Sequence, residues 1–404
     1  MQKNKRKREI HSVTKNIIGE PTMIKGYKTM IYPTKEQSDK IIKFCNASRF
    51  AYNWAIALEE ENYKNGGKFI SGYDLTKRFT QFKKQEGNEW LKEISGRALK
   101  VAILNAATAY DNFFKRHGKH PKFKSKKNSK MSCATHEGTT IIERKRIRCE
   151  KLGWIPTHKH NIPIGENVKY YNHKLSFDGD NFWFSVAVEI DDYNNNNNNK
   201  NKTDPIGIDL GIKTLATCSN GKSYQKPDIK KHKKKLKRLQ KKVSRQYQKM
   251  LDESKRTKTK FSKLPKSKNL LKLESQIRNQ YRKIDNILTT NIHTITKELV
   301  SINPSAIVIE DLNVSGMRKN KHLSEKINEA KFYEFRRQLE YKCKWYGVDL
   351  IIADRWYPSS KLCSCCGHKK EKLSLSERTY VCEECGCIID RDFNASVNLK
   401  YLAM

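Results

Sequence analysis

Two sets of residues in this chain have the types and spacing to do chemistry. Cys363 and Cys366 are two residues apart, as are Cys382 and Cys385, and fifteen residues separate the pairs. Paired thiolates at this spacing are the donor set of a four-coordinate Zn²⁺ ribbon. Gly367 and Gly386 follow the pairs and permit the tight turns that wrap backbone around sulfur. Four thiolates leave no open position on the ion, so this zinc is expected to be structural. Cys365 and Cys387 stand beside the set and remain spare.

The second set is acidic. Asp209 lies in the short apolar run Ile206-Gly-Ile-Asp209, Glu310 ends the run Ala306-Ile-Val-Ile-Glu310, and Asp392 precedes a helical stretch from Asn394 to Tyr401. Strands meet in a sheet, so carboxylates distant in sequence can converge. Carboxylate oxygens suit Mg²⁺ or Mn²⁺. Two such ions about 4 Å apart can activate a water and stabilise a leaving oxygen in phosphodiester cleavage. That chemistry needs no catalytic serine or histidine, and the 11 histidines show no motif spacing. Asp311 competes with Glu310 for the second position and Asp390 with Asp392 for the third. Strand alternation puts Glu310 and Asp311 on opposite faces without saying which face meets a metal.

The whole chain has 404 residues and a formal net charge of +39. Such a charge repels itself in a compact state and calls for an anionic partner, foremost nucleic acid. No run reaches the roughly 20 apolar residues of a spanning helix. The basic segment Lys3–Arg8 is followed by no apolar core, so no secretion signal is expected. The 11 cysteines, odd in number and partly scattered, fit a reduced cytoplasmic protein with one metal site better than a disulfide framework. A nucleoid-associated location and no membrane partner follow as expectations.

Positioning these groups falls to a chain of two unlike halves. Residues 1–22 read as a basic tail. Ile24–Pro33 reads as a strand, Thr34–Leu58 as a helix capped by Thr34, and Arg97–Phe114 as a second helix. Residues 141–148 and 182–190 are rich in β-branched and aromatic residues and read as strands. The first half is therefore a helical insert in a β-rich domain. The six asparagines Asn194–Asn199 mark a linker over 193–204. Beyond it, Lys230–Leu251 and Leu270–Val300 have helical apolar stripes, Ser324–Tyr346 reads as one amphipathic helix, and Asp349–Ala353 as a strand.

These motifs in this order resemble the TnpB (OrfB) family of transposon-associated RNA-guided DNA endonucleases. The resemblance rests on Gly207-Ile-Asp209-Leu-Gly211, Ile309-Glu310-Asp-Leu312, Pro358-Ser-Ser-Lys361 and Asp390-Arg-Asp392-x-Asn394-Ala395. Tyr32-Pro-Thr34, Arg49-x-x-Tyr52-Asn53-Trp54 and Pro121-Lys-Phe-Lys124 are similar to the family's N-terminal half. It implies a multidomain α+β protein. A wedge β-barrel (23–33 and 116–192) would hold a helical recognition insert (34–115). An RNase H-like (RuvC) nuclease domain (205–404) would carry an inserted zinc ribbon (359–390).

The resemblance also implies that Asp209, Glu310 and Asp392 are the catalytic acids that hold Mg²⁺ or Mn²⁺. A guide RNA would pair with double-stranded target DNA while the protein reads a short flanking motif. Candidate nucleic-acid contacts are Arg49, Tyr52, Asn53, Lys77, Lys122, Lys124, Lys234, Lys235 and Arg238. A nuclease-dead RNA-guided repressor and a compact CRISPR effector are the alternatives of similar descent.

Overall fold

A computed structural model describes residues 23–126, 129–165, 167–190, 202–261, 264–374 and 377–404. The basic tail 1–22 and most of the asparagine linker lie outside the described residues. The chain divides into two units, Met1–Asp192 and Tyr193–Met404. Among the described residues no helix is long and apolar enough to cross a membrane.

The first unit interleaves strands and helices: β1 (Met23–Ile31), α1 (Lys35–Lys64), α2 (Gly72–Phe82), α3 (Gly96–Phe114), β2 (Met131–Ala134), β3 (Ile141–Glu143), β4 (Arg146–Cys149), β5 (Gly153–Pro156), β6 (Tyr170–Phe177) and β7 (Phe182–Ile190). The antiparallel order β1-β7-β6-β2 makes one sheet and β3-β4-β5 another. Pairing of β1 with β7 runs their full length, from Met23 opposite Ile190 to Ile31 opposite Phe182. Where a wedge barrel was expected, the described strands form two ladders joined by one isolated bridge, Ile31 to Thr157.

The helices sit between β1 and β2 in sequence. Thr34 caps α1 in a reciprocal box: the Gln37 N–H donates to Thr34 Oγ1 at 3.3 Å and the Thr34 N–H to Gln37 Oε1 at 3.0 Å. The Gln37 side chain also donates to the carbonyls of Leu152 (2.9 Å) and Trp154 (3.0 Å), pinning the helix to β5.

The second unit contains β8 (Ile206–Asp209), β9 (Ala216–Cys218), β10 (Ser223–Tyr224), α4 (Lys230–Arg256), α5 (Lys268–Ser301), β11 (Ala306–Glu310), α6 (Val314–Met317), α7 (Ser324–Ala330), α8 (Phe332–Tyr346), β12 (Asp349–Ala353), β13 (Thr379–Val381), β14 (Ile388–Asp390) and α9 (Arg391–Lys400). Its main sheet has the order β10-β9-β8-β11-β12. β8, β11 and β12 are parallel, and β9 and β10 add antiparallel strands at one edge.

Alternation along β8 and β11 gives the sheet two different faces. Ile206, Ile208, Ile307 and Ile309 join Ile292, Ile295 and Leu299 of α5 and Phe335 and Leu339 of α8 in the larger core. Val308 points the other way, into a small cluster with Leu399 of α9.

The helix expected over Ser324–Tyr346 is two helices. Lys331 breaks it in the left-handed conformation (φ 50°, ψ 41°), and its ammonium binds Asp285 and Thr289 of α5.

Candidate active site and metal centre

Asp209 and Glu310 end the neighbouring parallel strands β8 and β11. Gly207 is in register with Val308 and Ile208 with Ile309, so the next step along the ladder sets Asp209 beside Glu310. Both share the side of Gly207 and Val308, the side covered by α9. Helix α9 can lie there because residue 207 is glycine. A Cβ at Gly207 would stand 2.0 Å from the Ser396 carbonyl oxygen and 2.4 Å from the Lys400 nitrogen, both backbone atoms. This close approach brings Asp392, in the first turn of α9, toward the two strand ends.

The electrostatics report the convergence. Burial, then the Glu310 and Asp392 carboxylates, push the Asp209 carboxyl up to about 8 from its ordinary value near 4, against the pull of Arg391. A buried carboxyl that two neighbouring carboxylates make costlier to ionise marks a site that a cation would relieve. An oxygen-only donor set of this kind fits Mg²⁺ or Mn²⁺. Around it, the Ser359 hydroxyl donates to Glu310 Oε1. Asp392 is flanked by the guanidinium groups of Arg391 (3.3 Å) and Arg378 (3.8 Å).

The competing acids have other partners. Asp311 binds Arg336 at 2.7 Å and also Arg355. The two guanidinium groups hold its carboxyl below the usual range, with Arg355 the larger influence. Asp390 is the N-cap of α9, its Oδ1 accepting from the Phe393 N–H at 2.9 Å.

The cysteine set forms a compact knot. The sulfurs of Cys363, Cys366, Cys382 and Cys385 lie within 4.8 Å of one another. Cys363 and Cys385 are 3.7 Å apart, and Cys366 and Cys382 are 3.6 Å apart. A tetrahedron of thiolates at the zinc–sulfur distance has edges of about 3.8 Å. Each pair forms a turn closed by backbone: the Cys363 N–H donates to His368 O and the Cys382 N–H to Cys387 O, both at 2.9 Å. Gly367 (φ 76°) and Gly386 (φ 67°) occupy left-handed positions that a side chain would strain. Cys365 and Cys387, left spare by spacing, meet at 2.7 Å beside the set.

Knot and acids are coupled through α9. Asn394 and Asn398 are buried and both donate to the Leu362 carbonyl, at 2.6 and 2.7 Å. Asn398 also donates to Ser359 O at 2.8 Å, and Asn394 Oδ1 accepts from the Ser364 N–H at 2.9 Å. The segment entering the knot is thus tied to the helix that carries Asp392. These two asparagines and Ser359 were missed as site residues in the sequence. Their signal was the i, i+4 placement of two amides on the helix that follows an acid.

The candidate nucleic-acid residues are distributed over both units. In the first, Arg49, Lys124, Lys130 and Lys174 line a small cavity of about 80 Å³. Asn53 clasps the backbone of Lys124 through two hydrogen bonds, of 2.9 and 2.8 Å. Tyr52 is buried at 7 % exposure, and the Lys124 ammonium lies 3.6 Å from its ring centre. Tyr52 therefore supports a cation here and offers no open face to a base. Lys77 is exposed on α2, and Lys122 on the loop before β2. In the second unit, Lys234, Lys235 and Arg238 are exposed on α4.

These features define a two-unit α+β protein in which three carboxylates converge beside a four-cysteine knot. Residues 185–321 match a family described as "Probable transposase", residues 23–68 a "Helix-turn-helix domain" and residues 332–399 a "Cas12f1-like, TNB domain". A Streptomyces pristinaespiralis protein named "Putative RNA-guided DNA endonuclease" is 30% identical over 379 residues, spanning 93% of this chain and 88% of that protein. InsQ of Escherichia coli K12, which bears the same description, is 28% identical over 393 residues, spanning 93% and 91%. In the structure titled "Cryo-EM structure of the Cas12f1-sgRNA-target DNA complex", a chain 12% identical aligns with a TM-score of 0.47 over 94% of this chain and 99% of its own. The chain belongs to the TnpB (OrfB) family.

Proposed function

We propose that this protein is a Mg²⁺-dependent, RNA-guided DNA endonuclease. The observation that carries the proposal is the convergence of Asp209, Glu310 and Asp392 at the ends of two parallel strands and the start of α9. The names of its relatives support guide RNA and target DNA as partners. The net charge of +39 suits that load of phosphate. In this reading residues 205–404 are an RNase H-like (RuvC) nuclease domain with a zinc ribbon at 359–390. Residues 23–33 and 116–192 form the wedge domain and 34–115 the recognition insert.

Asp209, Glu310 and Asp392 would hold Mg²⁺ or Mn²⁺, which when bound supplies an activated water and stabilises the leaving oxygen. The chain's own part is positional. Ser359 orients the Glu310 carboxylate, Asp390 fixes the start of α9, and Arg391 and Arg378 hold Asp392 in place. Cys363, Cys366, Cys382 and Cys385 would hold a structural Zn²⁺ that shapes the ribbon and, through Asn394 and Asn398, braces α9. No cysteine takes part in hydrolysis.

The test supplies the full chain with its guide RNA, matching duplex DNA and Mg²⁺. Asp209→Ala, Glu310→Ala and Asp392→Ala are each expected to abolish cleavage while retaining bound guide and target in a gel-shift assay. Cleavage that survives Asp392→Ala would overturn the assignment.

A further inference from the structure

Trp356 lies on the loop between β12 and the cysteine knot and is 85 % exposed. The loop itself is firmly held. The Trp356 N–H donates to Asp354 Oδ1 at 2.8 Å, and the Tyr357 N–H to Asp354 O at 3.0 Å. The Tyr357 hydroxyl donates to Asn398 O of α9 at 3.1 Å, and the Arg355 guanidinium is tied to Asp311. A segment fastened on both sides of an indole could bury that indole, yet this one extends it into solvent.

The same loop walls a cleft of about 520 Å³ that also takes in Glu310, Ser359, Lys361 and Lys369. That volume lies in the range of ligand sites. Its lining brings together the Trp356 indole, two lysines, of which Lys361 donates its ammonium to the Glu371 carbonyl at 2.8 Å, and one of the converged acids. A nucleotide matches each part: the base has a π-face for the indole and the phosphate an anion for the lysines. Bases inside a duplex are stacked on one another, so the base that fits is unpaired.

We propose that Trp356 is a stacking platform for one unpaired nucleobase of the DNA strand being cut, fixing that strand against the carboxylates. The inference rests on the endonuclease reading above. Holding the strand in register removes orientational freedom before hydrolysis, which is where a binding residue can help the reaction. Trp356 touches no reacting atom and is a positioning residue.

The test uses the guide-loaded full chain carrying Asp209→Asn, mixed with single-stranded DNA in which 2-aminopurine is moved one position at a time. One position is expected to be strongly quenched. Trp356→Ala should relieve that quenching and weaken binding by roughly 5- to 150-fold, the range of one lost base stack. Trp356→Phe should retain most of both. In the otherwise native sequence, Trp356→Ala should raise KM for cleavage by a similar factor and leave kcat nearly unchanged.

Unaltered quenching and KM in Trp356→Ala would overturn the proposal. So would equal losses in the alanine and phenylalanine variants together with a lowered melting temperature, the mark of a structural role. Quenching in the Asp209→Asn chain together with no cutting of guided DNA by the native sequence would sink the endonuclease reading and leave the stack standing. Unimpaired cutting by Trp356→Ala would do the reverse.

Discussion

Glu310 and Asp311 are adjacent and have opposite surroundings. Alternation along β11 turns Glu310 toward α9, while Asp311 lies beyond the strand end and bridges Arg336 and Arg355. Spacing alone says that the two face apart. Which face matters is decided by α9, an element remote in sequence, and so the choice was not legible locally. The second ambiguity, Asp390 against Asp392, left a readable signal: an aspartate immediately before a helix is a favoured cap, and Asp390 is that cap. Glu310→Ala should abolish cleavage. Asp311→Ala should leave most of it and change the melting temperature little, because the partners are partly exposed and such pairs contribute little. Cleavage rates and thermal melts of the two variants decide the matter. Equal loss of activity in both would mean that the metal-facing carboxylate is misassigned.

At the scale of elements, strong local patterns were read well and interruptions were not. α1, α3 and β11 follow from helical periodicity or an unbroken apolar run; α3 and β11 stand close to their expected limits, while α1 runs on to Lys64, six residues past the expected end at Leu58. α2 was missed because its buried surface rests on only Leu75 and Phe79, too few to raise a periodic signal. Residues 141–148 look like one strand, but Glu143 and Arg146 pair across a turn that divides it into β3 and β4. The break at Lys331 coincides with contacts from its ammonium to Asp285 and Thr289 on another helix, which local periodicity does not reveal.

Gly207 is the element-scale residue on which the acid cluster depends most. Gly207→Ala drives a methyl group into the α9 backbone, where no side chain can swing aside. Overpacking of this kind costs about 1–3 kcal/mol. It should lift α9 from β8, lowering the melting temperature and cleavage together. A variant that melts and cuts like the native chain would show that α9 does not need this close approach.

At the scale of the whole molecule, the net charge of +39 is the most general statement the sequence makes. It points to a polyanion but not to a surface, because most of the lysines and arginines could equally be solvated. The structure narrows the choice within the second unit. On α4, Leu239 is buried against its neighbours while Lys234, Lys235 and Arg238 stay exposed. The helix therefore packs through Leu239 and presents exposed cations on the surface beside it that are available to phosphate.

Each phosphate neutralised releases condensed counterions, so log Kobs falls with log salt at a slope of about −0.9 per contact. For the native chain, a protein making six to ten such contacts should lose roughly 10³- to 10⁵-fold in DNA affinity between about 50 and 200 mM salt. The triple variant Lys234→Ala, Lys235→Ala, Arg238→Ala should make the slope shallower by up to about 3, and weaken unrelated DNA sequences as much as matched ones. Binding isotherms at four salt concentrations measure both quantities. An unchanged slope would mean that this face of α4 meets only solvent, and the phosphate-binding surface would have to be sought on other cations of the chain. A lowered affinity with an unchanged slope would mean that the triple variant perturbs the α4–α5 packing, which a thermal melt would register.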